Sequence, residues 1–329
     1  MFSAITRRFT HNPSLYYSMS VASTWAGVGA LLIGMQMARE YGIVPFLLWA
    51  LGNTLACVLF GIFAPRIPKL REVFRSRPMK YLVGFMCVFQ VWTNLNGIQT
   101  VFAGTPLGGT FGTALAYTIA IGFIIMLWRR GMIRTVLSDH AAWVGVYVTA
   151  ALLTVLAIVH ANGNMIPLSM GYEHIGIGIE KCVLLLPGAF LYPYFFGMLD
   201  YNDKNEDGTK KINITRVFIN GGLLFGAYLV FTFILSWTPL PPALSIILAI
   251  LLTLLSTVSS FLYSIYLTFG RKLGLAVNIA TVALWQLVIP MGVMGVWTLM
   301  SQIRIYIVIG SILFALGWHF TEKRKAVRA

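Results

Sequence analysis

A chain of 329 residues that is 58% hydrophobic and only 10% charged, with a mean hydropathy of +0.80, is not composed like a water-soluble domain, where roughly a quarter of residues are charged. Its formal charge of +14 raises nucleic acid as a partner, but the basic residues sit in short loops between apolar runs and form no stripe, so membrane topology accounts for them and no nucleic-acid partner is expected. The apolar runs are far longer than the ~10-residue alternating strands of a membrane barrel, and hydrocarbon demands that backbone groups be paired within the protein, so the expected class is an all-α polytopic membrane protein.

In chain order, residues 1–13 are basic and hydroxylated like a signal n-region, but the apolar run that follows ends at Arg39-Glu40 without a small-residue cleavage site. They read as a cytoplasmic N-terminal segment. Ten spans are predicted, at 14–40, 43–64, 79–103, 110–128, 139–161, 173–200, 213–236, 240–268, 272–298 and 303–320. With the N-terminus inside, only Arg39, Lys181 and Arg304 of the 24 Lys and Arg fall on the outer side, which leaves 21 inside. That asymmetry predicts two cytoplasmic termini, including a basic tail at 321–329, in a plasma (inner) membrane.

The spans divide into 14–161 and 173–320, joined by an extracytoplasmic connection at 162–172. Each half has five helices and 148 residues. An odd number of spans per half makes the second half inverted, an architecture in which transporters break the first helix of each half around a central ligand site. Gly27-Val28-Gly29 and Pro187-Gly188 interrupt helices 1 and 6 at matching positions, 160 residues apart. Gly27, Gly29, Pro187 and Gly188 are thus the expected helix breaks, freeing polar main-chain groups at depth. Ordinary tight packing through glycine is the competing explanation.

Helix 3 carries Gln90, Trp92, Thr93, Asn94, Asn96, Gln99 and Thr100 in an otherwise apolar run. Trp92, Asn96 and Gln99 share a face, which must meet another helix or a wet cavity because unpaired amides in hydrocarbon are costly. The expected solute contacts are Gly27 and Gly29, this face, and Phe190 with Tyr192 on helix 6. Helix 8 is rich in hydroxyls, and Thr253, Ser256 and Thr257 can offer several oxygens to a hard cation, or instead bond back to their own helix.

The helix 8 run LLSTVSSFLYS resembles the serine-threonine signature of the sodium:solute symporter family, and ASTWAGVGALLIG followed by EYGI resembles that family's first core helix. The resemblance implies the five-plus-five inverted-repeat fold shared with amino-acid permeases and the bacterial leucine transporter. It also implies a sodium ion held by Ser256 and Thr257 side chains, the Thr253 carbonyl, and the Ser23 and Ala26 carbonyls. This chain departs from the family at Val258-Ser259, where alanine and aspartate are common, and in having no acid on helix 1. No Asp, Glu, Lys or Arg is expected well inside any span, which argues against proton coupling and for sodium or no coupling.

The acidic stretch from Asp200 to Gly208 is the rival signal. As a calcium loop it lacks the closing Glu, having Ile214 there. Asp200, Asp203 and Asp207 resemble the second aspartate motif of membrane prenyltransferases, but the 65–80 loop on the same side has no Asp to complete a Mg²⁺ site. Cys57, Cys87 and Cys182 show no metal spacing, and no H-E-x-x-H pair occurs. The expectation is a transporter of a small polar or zwitterionic solute with no enzymatic activity and no resident cofactor beyond a coupling sodium ion. A magnesium-dependent transferase and a non-transporting protein that keeps the fold are the alternatives.

Overall fold

The computed structural model describes residues 13–66, 72–74, 76–128, 132–203, 212–239, 241, 243, 246–247 and 258–328. Among them the chain is helical throughout, without strands. The helices are α1 (Pro13–Trp25), α2 (Val28–Gln36, continued by a π turn at Met37–Tyr41), α3 (Ile43–Phe63), α4 (Arg77–Ala103), α5 (Gly108–Trp128) and α6 (Met132–Ala161). They continue with α7 (Ile175–Leu185), α8 (Pro193–Asp203), α9 (Ile214–Trp237), α10 (Val258–Phe269), α11 (Arg271–Leu284) and α12 (Gly292–Arg328).

Helices α3, α5, the Trp143–Ala161 part of α6, and α9 are each long and apolar enough to cross a membrane; two bent pairs, α1 with α2 and α11 with α12, bring the number to six. Their outer faces remain apolar. Val148, Leu152, Val155 and Val159 recur along one side of α6 and are 56%, 58%, 58% and 70% exposed. A continuous stripe of this kind is unstable against water and suits contact with lipid.

Inside, α9 packs against α1, α2, α3 and α6, while α4 packs against α5, α10 and α12. Small residues bring helices close. A Cβ on Gly52 of α3 would stand 2.7 Å from the Cys182 backbone of α7, and one on Gly178 of α7 would stand 2.8 Å from Pro45 Cα. The connection before α7 folds back onto the start of α3, where Ile43 N–H donates to Ser169 O and Val44 N–H to Met170 O, both at 3.0 Å. Gly42 and Gly171 meet there with φ of +99° and +69°, and neither position leaves room for a Cβ.

Two element boundaries correct the sequence reading. Helices 9 and 10, expected at 272–298 and 303–320, are instead separated at 285–291 by two 3₁₀ turns. The bend is 58°, and Gly292, at φ +63°, starts α12. Pro290 and Gly292 mark the true turn, but the run around them is apolar, whereas Ser301, Gln302 and Arg304 resemble a loop and are helical. Second, α6 starts at Met132, seven residues before the expected span, so Asp139 lies two turns inside a helix.

Candidate functional site: a cavity at the helix breaks

The main chain leaves helical form at Ala26–Gly27, and α1 and α2 diverge there by 56°. Gly27 is extended (φ −82°, ψ 171°) and caps α2 without a side chain. A helix start leaves its first N–H groups without intrahelical partners, so this junction presents polar backbone inside the bundle. Gly29 lies within the first turn of α2 rather than at the break, and a Cβ there would stand 3.0 Å from Thr93 Cγ2. The second interruption runs from Leu186 to Tyr192, where Pro187 precedes a 3₁₀ turn at Gly188–Leu191 and α8 begins at Pro193.

A cavity of about 460 Å³, its open side included, lies between these breaks. Gly27, Gly29, Trp25 and Thr24 line it from α1 and α2, Trp49 and Asn53 from α3, and Gln90, Thr93 and Asn94 from α4. Tyr192 enters from the second break, Phe261 from α10, and Trp297 and Arg304 from α12. Without its open side the cavity holds only about 50 Å³, well under the size of ordinary ligand pockets. Trp25 Nε1–H donates to Asn53 Oδ1 at 2.9 Å, and Asn53 Nδ2–H donates to Trp49 O at 3.0 Å, which ties the end of α1 to α3. The Trp25 and Tyr192 rings lie 5.0 Å apart, so the two breaks touch.

Of the residues that the sequence reading assigned to the solute, Gly27, Gly29 and Tyr192 line this cavity and Trp92, Asn96, Gln99 and Phe190 do not. Trp92 Nε1–H donates to Thr281 O at 2.8 Å. Asn96 holds the α11–α12 bend: its Nδ2 donates to Val288 O (3.2 Å) and Gly292 O (2.9 Å), and its Oδ1 accepts from Trp285 Nε1–H at 2.7 Å. Gln99 lies against Gly109 of α5. Phe190 packs on Phe60 and Phe74. The side of α4 that faces the cavity is the one carrying Gln90, Thr93 and Asn94. Among the sodium assignments, Ser23 is buried near the end of α1 and Ala26 is buried at the break that follows it, while Thr253, Ser256 and Thr257 lie outside the described residues.

Two buried charges correct the expectation of a core without any. Arg304, counted from sequence at the outer end of the 303–320 span, is 2% exposed at the cavity wall. Among the described residues its only contact of hydrogen-bond type is Nη2 with Met300 Sδ at 3.9 Å, and nothing accepts from Nε or Nη1. Gly188 gives it room, since a Cβ there would stand 3.2 Å from Arg304 Nη1 and 3.0 Å from the Trp25 ring. Asp139 of α6 is 3% exposed. Its Oδ2 accepts from Ser20 Oγ–H at 2.6 Å and Tyr194 O–H at 3.2 Å, and the two hydroxyls are 2.7 Å apart. Ser260 of α10 borders the same carboxyl. This cluster joins α1, α6, α8 and α10.

Asp200, of the acidic stretch, lines a separate cavity together with Lys80, Pro193 and Phe196; the side chain of Asp203 and all of Asp207 lie outside the described residues. Comparison with protein-family models gives no match, and comparison with curated proteins gives none either. The functional reading therefore rests on the geometry and on the resemblance of the two short segments.

Proposed function

We propose that the chain is a secondary transporter that carries a small polar or zwitterionic solute by alternating access, within a five-plus-five inverted-repeat architecture and with both termini cytoplasmic. The observation that carries this reading is the cavity at the meeting of two interrupted helices. Irregular backbone at membrane depth is tolerated where it lines a cavity or is buried in protein, and broken helices at a central site are a recurring transporter device. The interruptions fall in the first helix of each half of the chain, which supports the inverted repeat. Thr24, Asn53, Gln90, Thr93 and Asn94 give the cavity polar walls, and Trp25, Tyr192 and Trp297 give it aromatic ones.

Sodium is the proposed coupling ion, on the resemblance of helices 1 and 8 to the sodium:solute symporters. Asp139 supports a second reading, coupling to protons. A buried carboxyl bridging three helices through hydroxyls is a group whose charge or bound cation can bias their packing, and intramembrane acids commonly serve proton and ion pathways. Its presence removes the ground on which the sequence alone favours sodium.

Reconstitution into proteoliposomes tests both readings. Uptake of labelled amino acids and small organic acids is measured under an inward sodium gradient, an inward proton gradient, and neither. Accumulation under the sodium gradient supports sodium symport, and accumulation under the proton gradient alone supports the Asp139 reading. Solute that never exceeds equilibrium under either gradient argues against secondary active transport.

A further inference from the structure

Among the described residues, the polar atoms buried at the cavity wall without a partner are all hydrogen-bond donors. They are Nε and Nη1 of Arg304 and Nε1 of Trp49, and each of these residues is 2% exposed. Guanidinium stays charged in proteins, and an uncompensated buried charge costs far more than an unmade neutral hydrogen bond. Among the described residues no carboxylate pairs with it. Of the acids whose side chains the structure describes, Glu40 accepts from Gln36, Glu180 holds Lys181, Glu173 lies beside His174, and Asp139 accepts from Ser20 and Tyr194. Glu72 is exposed and Asp200 lines a different cavity.

Several of the cavity's other donors are already engaged. Trp25 Nε1–H donates to Asn53, and the Thr24 and Thr93 hydroxyls donate to carbonyls one turn back, at 2.8 Å each. Among the described residues the fully buried donors left free are those of Arg304 and Trp49, in the wall that also holds the start of α2, whose dipole favours negative charge. We infer that the cavity receives its solute through a carboxylate, held by the Arg304 guanidinium with Trp49 Nε1–H as a further donor, while Trp25, Tyr192 and Trp297 pack against the body of the solute. Planar guanidinium matches a carboxylate in geometry as well as charge. This inference rests on the reading of the cavity as the solute site and narrows the solute to small carboxylic acids, amino acids included.

The test uses the purified full-length chain in detergent at constant sodium chloride. The thermal unfolding midpoint is recorded with lactate, pyruvate, benzoate and the proteinogenic L-amino acids, each beside its primary amide. At least one acid is expected to raise the midpoint where its amide does not. In Arg304→Met that acid should bind roughly ten- to a hundredfold more weakly, the loss of a charge-assisted hydrogen bond, while the midpoint without solute stays level or rises because a bare buried charge is gone. Should Arg304→Met fail to fold, Arg304→Lys carries the test: it keeps the charge without the planar fork, so the acid should bind more weakly than to wild type and still better than its amide.

An amide that stabilises as well as its acid, a panel in which no acid stabilises, or an arginine variant that keeps full affinity overturns the inference. Binding in detergent requires no transport. An acid that binds but is never accumulated in proteoliposomes counts against the transporter reading alone, whereas accumulation of solutes lacking a carboxylate overturns this inference alone.

Discussion

Arg304 on α12 and Asp139 on α6 are both charged side chains with almost no exposure, yet their surroundings differ. Asp139 is received by hydroxyls from two other helices, Ser20 and Tyr194, whereas Arg304 has a single weak sulfur contact. Arg39 sharpens the contrast. Its Nε donates to Ser236 O at 3.0 Å and its Nη2 approaches Leu235 O and Thr238 O at 3.4 Å, so it caps the carbonyl end of α9. Breaking the compensation of a buried charge costs about 3–5 kcal/mol, so a fixed structural charge at depth is expected to have fixed partners, as Asp139 does and as even the exposed Arg39 does. A charge left open at a cavity wall fits a partner that arrives and departs. The comparison therefore divides the polar residues into those that hold helices together and those that meet the solute.

The largest effect outside Arg304 itself is expected on helix 8. Ser256→Ala and Thr257→Ala each remove one cation ligand under the sodium proposal, so the sodium concentration for half-maximal uptake should rise roughly ten- to a hundredfold. Ser264→Ala is the control, because its hydroxyl donates to Ser260 O within its own helix. Uptake indifferent to sodium, or three variants behaving alike, would make these hydroxyls packing groups.

Asn96→Leu should produce a stability change instead. It removes three hydrogen bonds that hold the α11–α12 bend, and at about 0.6 kcal/mol for an average bond between membrane helices the loss is about 2 kcal/mol. Solute affinity should hardly move, because Asn96 lies outside the cavity wall. An affinity loss without destabilisation would return this residue to the solute site.

Tyr194→Phe deletes one donor to Asp139 and leaves Ser20 in place, for a cost of about 1 kcal/mol in stability. Urea or thermal unfolding of the variant measures it. The smallest effect is expected from changing Asp200, Asp203 and Asp207 together to Asn, which should leave solute uptake intact. A Mg²⁺-dependent transferase activity that disappears in that variant would replace the transporter reading.

What was legible in the sequence follows from how each signal acts. Glycine and proline act on the backbone itself, so Gly27 and Pro187-Gly188 mark where the chain leaves helical form. Long apolar runs give the helices that can cross a membrane. The side of α4 that meets the cavity was not legible, because helical spacing groups Trp92, Asn96 and Gln99 together but cannot say whether that face meets a solute or the carbonyls of a neighbouring helix. The bend at 285–291 offers backbone carbonyls that only the folded chain brings to Asn96. Arg304 was lost for a related reason. A charge at the very start of an apolar run reads as lying at the membrane surface, and counting it on the outer side also fitted the charge asymmetry. Asp139, at the edge of its expected span, was hidden the same way, and Ser20 and Tyr194 lie 119 residues before it and 55 after it.

Of the two buried charges, Arg304 is proposed to bind the solute, and under the second reading Asp139 couples transport to protons. Solute counterflow in proteoliposomes, measured without any ion gradient and again under an inward sodium or proton gradient, separates them directly. Arg304→Met should lose exchange in both conditions, because no solute is bound. Asp139→Asn should retain gradient-free exchange and lose the accumulation that the gradient drives. Exchange that survives in Arg304→Met, or that vanishes equally in both variants while both remain folded, would contradict the division.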